Sequence, residues 1–485
     1  MRGAKGTQCW ECRRRRLVCD STRPRCRKCQ VRDVDCPGYD GKKPLKWLQP
    51  QQVNSKGPEK MVMPRTLKPA NEREMSAIFE AIEYYDLHIA PDLVATGVSG
   101  PQNPYWMPHA AAPYLSRSCT QSLVCAALCH RALQSSEAAP SDQLALARRL
   151  QQHRGEALRA LTADLGSPDH QASDMTLAAL QQSFEPPNWR QHTNGASAVM
   201  QLKGGLTALV LSRPDFRHLL RFYALTTSPH IETGSARTQL ELISLLPVLY
   251  GNGISTCFPC PPDLLADVIH INHLRSISKG VASIPVGTEP ARLEEGKQSA
   301  ALDILRRIRA FPTERWASEV LLAIPPDTIA SQGGLSGWYS IACIYQSAIA
   351  IYCIASLLHD TTEFSADASR ILGSHDPSNA DLATHEMLAT ARKTCASILV
   401  SRLRETCRYT QLRKLVLWPL VVAGIEAEND ATKQFVVGEL RWISNALGTA
   451  VPLVAKDLLE NRVWKLGLGR RSWDTLFDQP YVFVM

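Results

Sequence analysis

Six cysteines stand between positions 9 and 36 in the spacing C-x2-C-x6-C-x6-C-x2-C-x6-C: Cys9, Cys12, Cys19, Cys26, Cys29 and Cys36. The rest of the 15 cysteines are scattered over the remaining chain. The opening residues, MRGAKGTQCW, hold no apolar run of the kind a secretory leader needs. The thiols are therefore expected to stay reduced and to serve as metal ligands rather than as disulfides. Each C-x2-C pair can bring two sulfurs onto one tetrahedral zinc at about 2.3 Å. The pattern has two similar halves of three thiolates each, whereas a structural zinc takes four. Six sulfurs satisfy two zincs only if two of them serve both metals, so the stoichiometry points to a binuclear cluster of two Zn2+. Six thiolates leave such a cluster negative, and the neighbouring Arg and Lys side chains more than offset that charge.

Four arginines, Arg13, Arg14, Arg15 and Arg16, follow the first pair directly. A run of like charges is ordinarily a solvated face. Here a compact metal-tied scaffold would hold it on a short helix, and such a helix can enter the major groove of DNA. Arginine grips guanine O6 and N7 with two parallel hydrogen bonds, worth about 1–3 kcal/mol of discrimination.

The stretch 9-CWECRRRRLVCDSTRPRCRKCQVRDVDC-36 resembles the fungal zinc binuclear cluster (Zn2Cys6) DNA-binding domain over the whole module. The resemblance implies that Cys9 and Cys26 bridge both metals, that Cys12 and Cys19 complete one zinc, and that Cys29 and Cys36 complete the other. It places Arg15 and Arg16 on the base edges of a CGG-type triplet. Arg13, Arg27 and Lys28 are the candidates for phosphate contacts, which position the protein without reading sequence. Many members carry Lys or Arg immediately before the third cysteine; Val18 stands there in this chain, which removes a phosphate contact and lowers affinity more than it alters triplet choice.

Charge is as uneven as cysteine. Residues 1–50 hold 14 Lys and Arg against 5 Asp and Glu, so the +8 of the whole 485-residue chain lies there and the remainder is near neutral. With 45% hydrophobic and 21% charged residues, the chain is globular rather than disordered as a whole. Pro37, Pro44, Pro50, Pro58, Pro64 and Pro69 rule out a long helix between the cysteine block and residue 70, so no coiled coil abuts the cluster. Lys42, Lys43 and Lys46 fall in this stretch as backbone-contact or import candidates, or as a solvated basic linker. The organisation expected is 1–40 DNA-binding, 41–70 linker and 71–485 a large helical domain.

The fold class expected is all-α. Asn71 with Glu74 gives a capping signal, and Ile78, Ile82, Tyr85 and Ile89 recur at helical spacing. A second helix is expected from near Ser141 to Leu165, ending at Gly166, and a third stripe in Leu388, Ala391, Cys395 and Ile398. Residues 337–358 are apolar enough to span a bilayer, but Ser340, Gln346, Ser347 and Ser356 interrupt them; a buried helix is expected and no membrane partner. The segments 83-EYYDLHIAPDLVAT-96 and 189-WRQHTNGASAVMQLKGG-205 resemble the helical regulatory domain of fungal transcription factors, against which 175-MTLAALQQSFEPP-187 is short.

Cys257, Cys260, His270 and His273 imitate a second zinc site, but their spacing is too tight for a single-zinc finger. Cys119, Cys125 and Cys129 are expected as small core residues. No G-x-S-x-G, H-E-x-x-H or phosphate-loop lysine occurs, so no enzyme is expected. The expectation is a nuclear, sequence-specific transcription factor for RNA polymerase II genes. Its partners would be double-stranded DNA, the transcription machinery or co-regulators, and a second copy in a homodimer. The alternative is an interaction or ligand-sensing regulatory protein whose zinc module is vestigial.

Overall fold

The computed structural model describes residues 8–15, 17–34, 36–37, 39, 72–95, 98, 100–134, 140–168, 189–214, 217, 220–221, 236–251, 258–278, 290–358, 380–467 and 473–476. Arg16, Lys42, Lys43, Lys46, Asn71, Cys257 and the segment 175–187 lie outside them. The chain divides into two compact units, Met1–Pro69 and Ala70–Met485.

In the first unit the helices α1 (Trp10–Arg14) and α2 (Arg27–Val31) have five residues each, too few to be stable on propensity alone. Each is started by a cysteine. Cys9 Sγ accepts the Cys12 amide at 3.4 Å, and Cys26 Sγ accepts the Cys29 amide at 3.4 Å. The arginine run does not all lie on the helix: α1 ends at Arg14, and Arg15 is its C-cap. The chain turns back at that point, with the Leu17 amide on the Cys12 carbonyl at 2.9 Å, to return Cys19 to the other sulfurs.

The second unit is helical, with no strand among the described residues. Its longer helices are α3 (Glu72–His88), α4 (Arg117–Gln134), α5 (Pro140–Leu165), α6 (Trp189–Leu202), α7 (Gly205–Ser212), α8 (Ala236–Tyr250), α9 (Pro262–Ser278), α10 (Pro290–Ala310), α11 (Thr313–Ala323), α12 (Gly334–Leu357), α13 (Ala380–Thr406), α14 (Leu417–Ile425), α15 (Asp430–Leu447) and α16 (Val451–Leu458). A helix that is apolar all round belongs in a core. Accordingly α12 is wrapped by α9, α10, α11 and α13, and 89% of its apolar window is buried. Three of its polar side chains bond to other segments, while the buried Ser340 and Ser356 hydroxyls find no acceptor or donor among the described residues. Trp338 Nε1 donates to Gln332 Oε1 at 3.0 Å, Tyr345 Oη to the Leu415 carbonyl at 2.7 Å, and Gln346 Nε2 to the Ile308 carbonyl at 2.8 Å. Gly337 is required where α12 meets the preceding turn, because a Cβ there would lie 2.1 Å from the Gln332 carbonyl oxygen.

A smaller core joins α3 and α4 through Ile78, Ile82, Tyr85, Leu123, Val124 and Leu128. It is tied to the C-terminal helices through Gly448, the left-handed C-cap of α15, whose Cα leaves space for the His130 ring. Asp92 pairs with Lys414 across the same boundary.

Two expected stripes shift on packing. In α13 the buried line runs from Leu388 through half-buried Ala391 and Cys395 to Leu399 and Leu403, leaving Ile398 43% exposed. In α5, Ala157 and Leu161 are buried while Leu158 and Leu165 face outward, because this helix packs on α4 through a narrow strip. Leu403→Ala should therefore cost about 2–5 kcal/mol, and Ile398→Ala under about 0.5 kcal/mol, read as shifts of the urea unfolding midpoint.

Candidate metal centre and nucleic-acid interface

The Sγ atoms of Cys9, Cys12, Cys19 and Cys26 all lie within 4.8 Å of one another, and so do those of Cys9, Cys26, Cys29 and Cys36. Two four-sulfur sets thus share Cys9 and Cys26. The separations Cys9–Cys26, Cys12–Cys26 and Cys9–Cys29 are 3.7, 3.6 and 3.9 Å. A tetrahedral zinc with sulfurs at about 2.3 Å sets its ligands about 3.8 Å apart, so this donor set fits two zinc ions. Among the described residues no other group of ligands comes together. Cys260, His270 and His273 do not converge: burial pushes the Cys260 thiol well up and both imidazoles down, and Cys257 lies outside the described residues.

The sulfurs differ in what surrounds them. Burial pushes the Cys9 and Cys12 thiols up, and takes Cys29 to about 12. Cys19 is also raised by burial, but the Cys9 and Ser21 amides at 3.5 Å and the Tyr39 hydroxyl at 3.7 Å outweigh that and bring it to about 7. Thiols must lose their protons to ligate zinc, so metal binding by these cysteines would be linked to pH and to folding. Tyr39 Oη also donates to the Thr22 carbonyl at 2.8 Å, closing the loop between the two halves. Asp20 accepts the Arg27 amide at 2.9 and 3.2 Å and so fixes the start of α2.

Around this core the basic side chains are exposed. Arg13 lies over the Trp10 ring, 5.2 Å from its centroid, and Arg27 and Lys28 face outward on α2. Arg15 is 37% exposed, with Nε 2.6 Å from Glu11 Oε1. Val18 is 75% exposed in the place where a basic residue was looked for. Reading the sequence singled out the cysteines and arginines but passed over Trp10, Glu11, Asp20 and Tyr39. A helical spacing of four between Glu11 and Arg15 was the one signal available for the carboxylate.

Of the other cysteines on α4, Cys119 is buried and Cys125 and Cys129 are half-buried. Well-formed ion pairs of the helical unit include Arg392 with both carboxylate oxygens of Glu426 at 2.9 and 3.1 Å, Arg413 with Glu439 at 2.5 and 3.0 Å, and Arg307 with Asp267 at 2.5 and 3.0 Å. Each joins separate segments of the helical unit, and Arg392 and Glu426 also line a cavity beside α13.

A small metal-ordered module with exposed arginines, followed by a large helical unit, defines a zinc-dependent DNA-binding regulator. Residues 7–46 match the fungal Zn(2)-Cys(6) binuclear cluster domain, and residues 80–466 match the fungal specific transcription factor domain; the chain belongs to this family of transcription factors, and its N-terminal module binds two zinc ions and DNA. It is 27% identical to the phomenoic acid biosynthesis cluster-specific transcriptional regulator of Leptosphaeria maculans, over 98% of this chain and 89% of that protein. It is 41% identical to arginine metabolism regulation protein II of Saccharomyces cerevisiae over 10% of this chain and 6% of that one. No solved structure matches.

Elemental analysis of the purified protein should return two zincs per chain. Cys26→Ala, which removes a member of both sulfur sets, should lose both metals, whereas Cys36→Ala should retain part of the metal.

Proposed function

We propose that this chain is a nuclear, sequence-specific regulator of RNA polymerase II genes. Its cluster is ligated by Cys9, Cys12, Cys19, Cys26, Cys29 and Cys36, and it reads a CGG-type triplet through Arg15 and Arg16. Arg13, Arg27 and Lys28 hold phosphates. Residues 1–40 form the reading domain and 41–70 the linker; residues 71–485 receive co-regulators or the transcription machinery. The observation that carries this reading is the position of Arg15 at the C-cap of α1, a helix whose N-cap Cys9 takes the Cys12 amide on its sulfur, which supports an arginine aimed by the cluster. The cluster-specific role of the Leptosphaeria regulator supports a set of biosynthetic genes as the target.

The second reading, a ligand-sensing or interaction protein with a vestigial zinc module, has Val18 in its favour, since an exposed apolar side chain cannot hold a phosphate. Unchanged promoter occupancy after deletion of residues 1–40 would carry that reading.

The test is selection from random DNA with the full chain at fixed salt, zinc-loaded and chelated. An enriched CGG-type motif, lost on chelation, is expected, and paired triplets would mark a homodimer while single ones would mark a monomer. Arg15→Ala should weaken selected-site binding by about 1–3 kcal/mol and flatten preference at one position of the triplet. Binding that falls steeply with salt and enriches no motif would mean phosphate attraction alone and overturn the reading.

A further inference from the structure

Glu11, on α1, belongs to neither the metal set nor the expected DNA contacts, yet it pairs with Arg15 at the C-cap of that helix. Glu11 lies in the first turn of α1, and its side chain is only 14% exposed. Its Oε1 meets Arg15 at Nε, 2.6 Å away, while the Arg15 amide returns to the Glu11 carbonyl at 3.0 Å. A guanidinium has two donor edges, one containing Nε and one made by the two terminal nitrogens. The carboxylate takes the Nε side. Among the described residues, no partner is recorded for the Arg15 terminal nitrogens. That remaining edge is the one able to fork onto guanine O6 and N7.

Resting on the base-reading function above, we infer that Glu11 is a positioning residue for specificity. It fixes the Arg15 fork before DNA arrives and cancels its charge toward phosphates. Two physical effects combine. An arginine held in one rotamer loses less side-chain freedom when it grips a base. A neutralised arginine contributes little to the sequence-independent attraction that any duplex exerts. Glu11 thereby widens the gap between the selected site and other DNA from both sides. Arg13 is held by a different device, the Trp10 ring, and keeps its full charge. Arg13 on α1 and Arg15 at its C-cap thus divide the work, one for phosphates and one for a base.

The length of the side chain is part of the argument. Glutamate spans the single helical turn to Nε at 2.6 Å; aspartate, one methylene shorter, would have to draw the arginine side chain back and so change where its fork points. Glu11→Gln removes the charge while keeping shape and length.

The experiment measures binding of the full-length, zinc-loaded wild type, Glu11→Gln, Glu11→Asp, Arg15→Ala and the Glu11→Gln/Arg15→Ala double variant. The probes are the selected duplex, the same duplex with the guanine under Arg15 replaced, and an unrelated duplex, each across a salt series. Zinc content is measured alongside. For Glu11→Gln, preference for the guanine should fall about tenfold while unrelated-duplex binding rises, with the salt slope steeper by about one contact. Glu11→Asp should share the lost preference. In the Arg15→Ala background, Glu11→Gln should no longer change base preference, as coupled residues require.

A structural role alone would lower zinc content and weaken all duplexes together, and that pattern overturns the inference. Equal strengthening on all three duplexes also overturns it, since Glu11 would then be only a repelling charge. So does an unchanged preference. If the wild type itself shows no preferred motif, the base-reading function has failed, which is distinct from a wild type that reads guanine independently of Glu11.

Discussion

Five of the six N-terminal cysteines are buried, and no aromatic or long aliphatic side chain is fully buried with them; Leu17 and Tyr39 only cover the edge. The described residues of this unit therefore form no hydrophobic core with which to offset the entropy of ordering their chain. Sulfur–metal bonds must supply that stabilisation, and everything else in the module follows from where the sulfurs sit. The shared sulfurs Cys9 and Cys26 are also the helix N-caps, so the residues that hold the metals determine where both helices begin. Fixing the start of α1 fixes its end at Arg14, and with it the direction in which Arg15 leaves the helix. Cluster geometry becomes side-chain aim through five residues of backbone.

The helical unit works on the opposite principle. Its stability comes from burial around α12, whose Ile, Ala and Tyr side chains face neighbours on every side. A helix buried all round is costly wherever its polar atoms lack partners. Trp338, Tyr345 and Gln346 each find a carbonyl or amide oxygen on another segment, and these bonds fix the register of α12 against what surrounds it. The bidentate pairs Arg392–Glu426 and Arg413–Glu439 hold the ends of the C-terminal helices in the same way. Apolar contact holds this unit together, and a handful of directional bonds specify its arrangement.

What could be read from the sequence divides along these physical lines. Metal ligation restricts residue type and local spacing, so six cysteines sufficed to locate the centre and its stoichiometry. Helical class was legible from periodicity and from the breakers that separate segments. The finer register was not. After Cys395 a buried stripe can continue three or four residues on, and only packing against α12 decides for Leu399 over Ile398. The ion pairs of the helical core join residues 26 and 34 positions apart, beyond any local rule. Arg15 was legible as a candidate; its partner Glu11, on the other side of Cys12 from the arginine run, was marked only by a helical spacing of four, a weak signal by itself.

The two sulfurs common to both sets carry a consequence for how the module responds to zinc supply. A protein with two separate sites would pass through a half-filled state over a broad range of free metal. Here the first ion has to orient Cys9 and Cys26, and in doing so it prepares two of the four ligands for the second. On this arrangement the two ions would be linked through Cys9 and Cys26, and loss of either ion would loosen two ligands of the other.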